Sequence, residues 1–78
     1  MTHDRITIDP RVMFGKPVIK GTRVTVELIL RKLGDGMTDA QILEHHPHLF
    51  IDDIRAAASF AADHLAAEEI ISASGSSS

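Results

Sequence analysis

Apolar positions along the chain follow two rhythms. Near the start, Arg5-Ile6-Thr7-Ile8 alternates polar and apolar and is closed by Asp9-Pro10, which predicts a short strand ended by a turn. Val18-Ile19-Lys20 and Arg23-Val24 are further short extended pieces, parted by Gly21, which permits the positive φ of a tight turn. From Thr25 the period lengthens to that of a helix. Val26, Ile29, Leu30 and Leu33 stand at i, i+3, i+4 and i+7, predicting a first helix from an N-cap at Thr25 to about Leu33, stopped by Gly34-Asp35-Gly36. Thr38 with Gln41 three residues on is a capping-box pattern for a second helix, whose inward contacts are Ile42 and Leu43 and which ends before Pro47. A third, long helix is expected from about Ile51 to Ile71.

On a helical wheel, Ile54, Ala57, Ala58, Ala61 and Leu65 share one face of that third helix, which is assigned to the core. A second apolar strip of Ala56, Phe60, Ala67 and Ile71 lies to one side. Two readings of Phe60 stand: it belongs to a subunit or partner contact, or it closes the core against the N-terminal segment. The expected fold is therefore mainly α: an extended β arm over residues 1–24, a three-helix body of helix-turn-helix type over 25–71, and a Ser-rich tail over 72–78 with nothing to bury and hence disordered. The strand fragments are too short for a stable sheet by themselves. They must pair with one another, lie on the helices, or join a sheet of another subunit, and exchange between two copies is the preferred arrangement.

Composition sharpens this picture. A chain of 78 residues with no Cys, Trp or Tyr has a thin core and no covalent staple, so an oligomer or permanent partner is the expected source of extra stability. The net charge of −3 hides a division. Up to Gly34, seven cations face three carboxylates, a net of +4; from Asp35 onward Arg55 alone faces eight, a net of −7. An anionic partner would thus meet the N-terminal arm and first helix. No apolar run is long enough to span a bilayer, and Met1 to Arg5 lacks the pattern of a signal peptide, so a cytoplasmic protein without membrane contact is expected.

Two glycines, a proline and three cations crowd into Gly15-Lys16-Pro17-Val18-Ile19-Lys20-Gly21-Thr22-Arg23-Val24. This run resembles the hallmark of the family of unknown function numbered 433, written G-K-P-x-I-x-G-T-R-hydrophobic. The similarity continues through Ile6 to Pro10, Gly36 to Leu43, Pro47 to Leu49 and Asp53 to Ala57, so it covers about Arg5 to Leu65. The resemblance implies a homeodomain-like helix-turn-helix bundle behind an extended arm, and the antitoxin half of a type II toxin–antitoxin pair whose toxin is a PIN-like nuclease. One position departs from the family pattern: Phe50 stands where a Ser or Thr would cap the last helix, leaving Asp52 or Asp53 to take over.

Other chemistries find little support. Gly15-Lys16 is not a phosphate loop, because Pro17 occupies the position of the magnesium-holding hydroxyl. His45, His46, His48 and Glu44 cluster around Pro47 at a helix end, where histidines meet free carbonyls, and no metal or other cofactor is expected. No nucleophile with its base sits on an ordered element, so no enzyme activity is expected. What remains is binding. In one reading the cationic ribbon neutralises the carboxylate-rich active site of a PIN-like nuclease, through Lys16, Lys20, Thr22 and above all Arg23, while Gly15, Pro17, Ile19 and Gly21 shape the ribbon and the strip of Phe60, Ala67 and Ile71 adds an interface. In the other, a homodimer binds operator DNA by the ribbon, with phosphate contacts from Arg31 and Lys32; the third helix, opening on Asp52 and Asp53, is a poor recognition helix. A DNA-binding regulator without a toxin and a purely structural dimeric module are the alternatives.

Overall fold

The computed structural model describes residues 3–72, with side-chain surroundings as far as Ala67. Along the chain come β1 (Ile6–Thr7), a 3-10 turn (Met13–Gly15), β2 (Val18–Ile19), α1 (Val26–Gly34), α2 (Asp39–His45) and α3 (Ile51–Ser72). Three helices and a short antiparallel N-terminal sheet make the mainly helical fold that the periodicity predicts. Ser72 closes α3; the disorder expected for residues 73–78, like any contact of the Ile71 side chain, falls outside the described residues.

β2 is the middle of the extended region. On one edge Ile6 pairs with Ile19 and Thr7 with Val18; on the other, Val18 bridges Thr25 and the Ile19 amide donates to the Val24 carbonyl at 2.9 Å. The Val26 amide then donates to the Pro17 carbonyl at 2.9 Å, joining the start of α1 to the same ribbon. With both edges of β2 paired, Val18 and Ile19 can be buried without orphaned backbone groups. The extended fragments thus pair with one another, the first of the arrangements the sequence allows. The arm is not a separate part: Ile19 and Val24 share one core with Val26, Ile29, Ile42, Leu49, Ile54 and Ala57.

Each helix starts on a local hydrogen-bond device. Thr25 Oγ1 accepts from the Leu28 amide at 3.0 Å at the head of α1. At α2, Thr38 Oγ1 accepts from the Gln41 amide at 3.2 Å and the Thr38 amide donates to Gln41 Oε1 at 2.9 Å, completing the capping box. For α3, with no hydroxyl at Phe50, the other half of such a box is present: the Phe50 amide donates to Asp53 Oδ2 at 2.8 Å. Asp53 is buried, and its other oxygen accepts from Arg5 Nη1 at 3.0 Å. One carboxylate thus caps a helix and anchors the strand segment to it.

The buried face of α3 is rotated from the expected one. Ile54 and Ala57 are buried and Ala61 half-buried, but Ala58 is exposed and Leu65 is 61% exposed. The core side turns toward Phe60, which packs against the central cluster. Length explains the rest: α3 spans 22 residues, about 33 Å at 1.5 Å per residue, against nine residues in α1, so the body has too little length to cover its second half.

Candidate macromolecule-binding turn

The ribbon's chemistry is set by the turn Ile19-Lys20-Gly21-Thr22. Its closing bond runs from the Thr22 amide to the Ile19 carbonyl at 2.9 Å, and Gly21 at the third position has φ of 79°, the requirement of a type II turn. The Thr22 hydroxyl donates to the Ile19 carbonyl at 2.7 Å and accepts from the Val24 amide at 3.0 Å. Thr22 is therefore a builder of the turn, its hydroxyl engaged on both sides. The Lys20 amide donates to the Arg5 carbonyl at 2.7 Å, fixing the turn to β1. Lys20 and Arg23 flank the turn, both exposed, and among the described residues neither forms an ion pair.

The other cations singled out from the sequence fare differently. Lys16 Nζ lies 3.2 Å from Glu27 Oε1, and Arg31 Nη2 lies 3.1 Å from Glu27 Oε2. Hydrogen bonds from Arg31 and then Lys16 hold the Glu27 carboxyl below its ordinary range, so the three form a triad with a net of one positive charge. Glu27 and Asp9 are the natural partners for Arg23, and both are engaged elsewhere: Asp9 is clasped by Arg11 at 3.0 Å, which lowers its carboxyl in turn. Lys32 is half-buried near the end of α1 and makes no ion pair among the described residues. Its charge, after burial, helps push the His46 imidazole below its ordinary value, so His46 is neutral at pH 7. The rings of His46 and His48 meet edge-on at 6.2 Å.

Beside the turn lies an open hollow of about 670 Å³ bordered by Thr7, Asp9, Val12, Thr22, Arg23 and His48. Of the structural set, Gly15 takes φ of 81°, Pro17 offers its carbonyl to α1, and Ile19 is core. Phe60 meets the His3 ring edge-on at 5.3 Å and stacks on His64 at 6.1 Å, while His3 Nε2 pairs with Asp63 Oδ2 at 2.9 Å. Phe60 thereby closes the core against the N-terminal segment, and it also lines an open groove between α1 and α3; Ala67 is exposed beside it.

Sequence reasoning missed the loop that leads into the ribbon. Met13 and Phe14 have φ of 49° and 59°, left-handed values that cost an ordinary side chain roughly 1–2 kcal/mol each. Backbone bonds from Gly15 to Val12 (3.1 Å) and from Lys16 to Met13 (3.1 Å) hold this conformation, and Phe14 points outward, 95% exposed. The Arg5–Asp53 pair was missed as well, because 48 positions separate its members.

A small helical bundle faced by a short sheet, with a cation-bearing turn on that sheet, is the class this geometry defines. The chain belongs to the family described as protein of unknown function (DUF433), whose model matches residues 6–61. It is similar to an uncharacterized protein of Archaeoglobus fulgidus, 54% identical over 28 residues, a stretch covering 36% of this chain and 78% of that protein. No solved structure matches the chain significantly. Among the described residues no helix is long and apolar enough to cross a membrane.

Proposed function

We propose that this protein is a cytoplasmic antitoxin-like binder that neutralises a PIN-like nuclease by presenting Lys20 and Arg23 to an acidic surface. The observation that carries the reading is the contrast within one cationic region: Lys16 and Arg31 share the carboxylate of Glu27, whereas Lys20 and Arg23 stand exposed and, among the described residues, without ion pairs on a turn fixed by Gly21 and Thr22. A guanidinium held this way is suited to bidentate pairing with a carboxylate, and a fixed turn loses little entropy when it docks. Binding, not catalysis, is the role this supports. The same two cations would also serve phosphate, so repression of the protein's own operon is the second face of the proposal. The opening of α3 is less suited to DNA, since Asp52 is exposed there and Asp53 is spent on Phe50 and Arg5.

Co-expression with the product of the neighbouring reading frame, followed by purification through a tag on that product, tests the reading. A stoichiometric complex is expected from the wild type and its loss from Lys20→Ala/Arg23→Ala. If no complex forms but the protein binds promoter DNA with the salt dependence of phosphate contacts, the regulator alternative replaces the antitoxin one.

A further inference from the structure

Between α1 and α3 runs an apolar groove of about 420 Å³, lined by Pro17, Val26, Leu30, Phe60, Ala61 and Leu65. A second depression shares Phe60 and His64 with it and continues to Ala67. Along α3 the two together run from Phe60 to Ala67, about 10 Å at 1.5 Å per residue. Charge borders the groove unevenly. Lys16 and Arg31, both exposed, share the one carboxylate of Glu27, at 3.2 Å from Oε1 and 3.1 Å from Oε2, so two cations face one anion. His64 is the remaining polar residue of the lining, and Asp63, in the second depression, is paired with His3 at 2.9 Å.

We infer that this groove seats an amphipathic helix of a partner protein, with aliphatic residues at i, i+3, i+4 and i+7 entering between α1 and α3 and an acidic side chain at its edge meeting Lys16 and Arg31. The walls are side chains of two helices, which offer no backbone donors or acceptors. An extended segment laid there would bury its N–H and C=O groups without partners, whereas a helix brings its backbone already paired. The i to i+7 face of a helix measures about 10.5 Å, the length of the lining along α3. An acidic residue supplies the second carboxylate for two cations that share one, and a basic helix is repelled. Docking also covers Leu65, which is 61% exposed. Arg23 borders a different hollow, so this surface is independent of what the Lys20–Arg23 turn binds.

The probe is a fluorescein-labelled synthetic peptide of about 16 residues, long enough to hold a helix once bound, with leucines at i, i+3, i+4 and i+7 flanked by glutamates. A second peptide carries lysines in place of the glutamates. Fluorescence anisotropy at physiological salt is expected to show saturable binding of the acidic peptide to the wild-type chain, and at least about tenfold weaker binding of the basic one. Leu65→Gln should weaken the acidic peptide at least about fivefold, Lys16→Gln/Arg31→Gln should remove the preference for it, and Lys20→Ala/Arg23→Ala should leave both affinities unchanged. Leu65 and both rim cations are exposed, so circular dichroism of these variants is expected to match wild type. Absence of saturable binding overturns the inference, as does equal affinity for the two peptides or loss of binding in the Lys20→Ala/Arg23→Ala chain. A dimer in sedimentation equilibrium that Leu65→Gln dissociates overturns it too, since a second copy then fills the groove.

Discussion

At the scale of single residues, the molecule rests on a few side chains whose partners lie far away in sequence. Asp53 is the clearest. It caps α3 through the Phe50 amide and holds Arg5, so Asp53→Ala leaves a backbone donor and a guanidinium without their acceptor and should lower unfolding free energy by about 2–3 kcal/mol. Its neighbour Asp52 is exposed and 3.6 Å from Arg5, and Asp52→Ala should cost under about 0.5 kcal/mol. Urea denaturation of both variants checks the contrast; equal losses would mean the carboxylates share the role. Gly21 offers a second test. A Cβ there meets nothing within 4 Å, so the cost of Gly21→Ala comes from φ of 79° alone, roughly 1–2 kcal/mol, or a drop in Tm of roughly 5–10 °C in a domain this small. Neither role is uniform in its legibility. Gly21 could be read from the sequence because a turn is local, whereas Asp53 could be narrowed only to one of two acids, since its choice is fixed by burial and by Arg5.

At the scale of elements, the same division between local and distant causes decides what the sequence reveals. The caps of α1 and α2 depend on residues three apart, and Thr25, Thr38 and Gln41 are found where pattern places them. The buried face of α3 depends on what lies opposite. The wheel assigns Leu65 to the core, but Leu65 borders an open groove beside the first half of α1, and Phe60 turns inward against His3 in its place. The Met13–Phe14 loop is illegible for a related reason: no propensity predicts left-handed phenylalanine, and only the closing bonds to Val12 and Met13 impose it. The end of α2 carries the pH response. His46 has a folded pKa below its ordinary 6.5, chiefly through burial, so the unfolded chain takes up its proton first as pH falls. Its contribution is fully present above about 6.5 and is lost as pH drops toward the lowered value. Thermal melts at pH 7 and pH 5 should show a larger loss of Tm for the wild type than for His46→Gln; parallel losses would assign the acid sensitivity to other groups.

At the scale of the whole molecule, the cationic N-terminal half is not a loose arm. It folds back as one wall of the core, and that wall offers its turn outward, with part of its charge neutralised inside the molecule and part left over. Charge division along a sequence says which half is cationic but not which cations are spent. Lys16, Arg31, Arg5 and Arg11 all find carboxylates, and none of these pairs follows from spacing except Glu27 with Arg31, four apart on α1. The proposal consequently narrows from six candidates on the ribbon and α1 to Lys20 and Arg23, the two that are exposed and outside any ion pair among the described residues. The measurement that bears on it most directly is inhibition of RNA cleavage by the product of the neighbouring reading frame, the proposed PIN-like nuclease, titrated with wild type, with Lys20→Ala/Arg23→Ala, and with an Arg55→Ala control. Full inhibition by wild type and control, with at least about a hundredfold more of the Lys20/Arg23 variant required, is the predicted result, consistent with losing two charge-assisted contacts. Equal inhibition by all three proteins would contradict it.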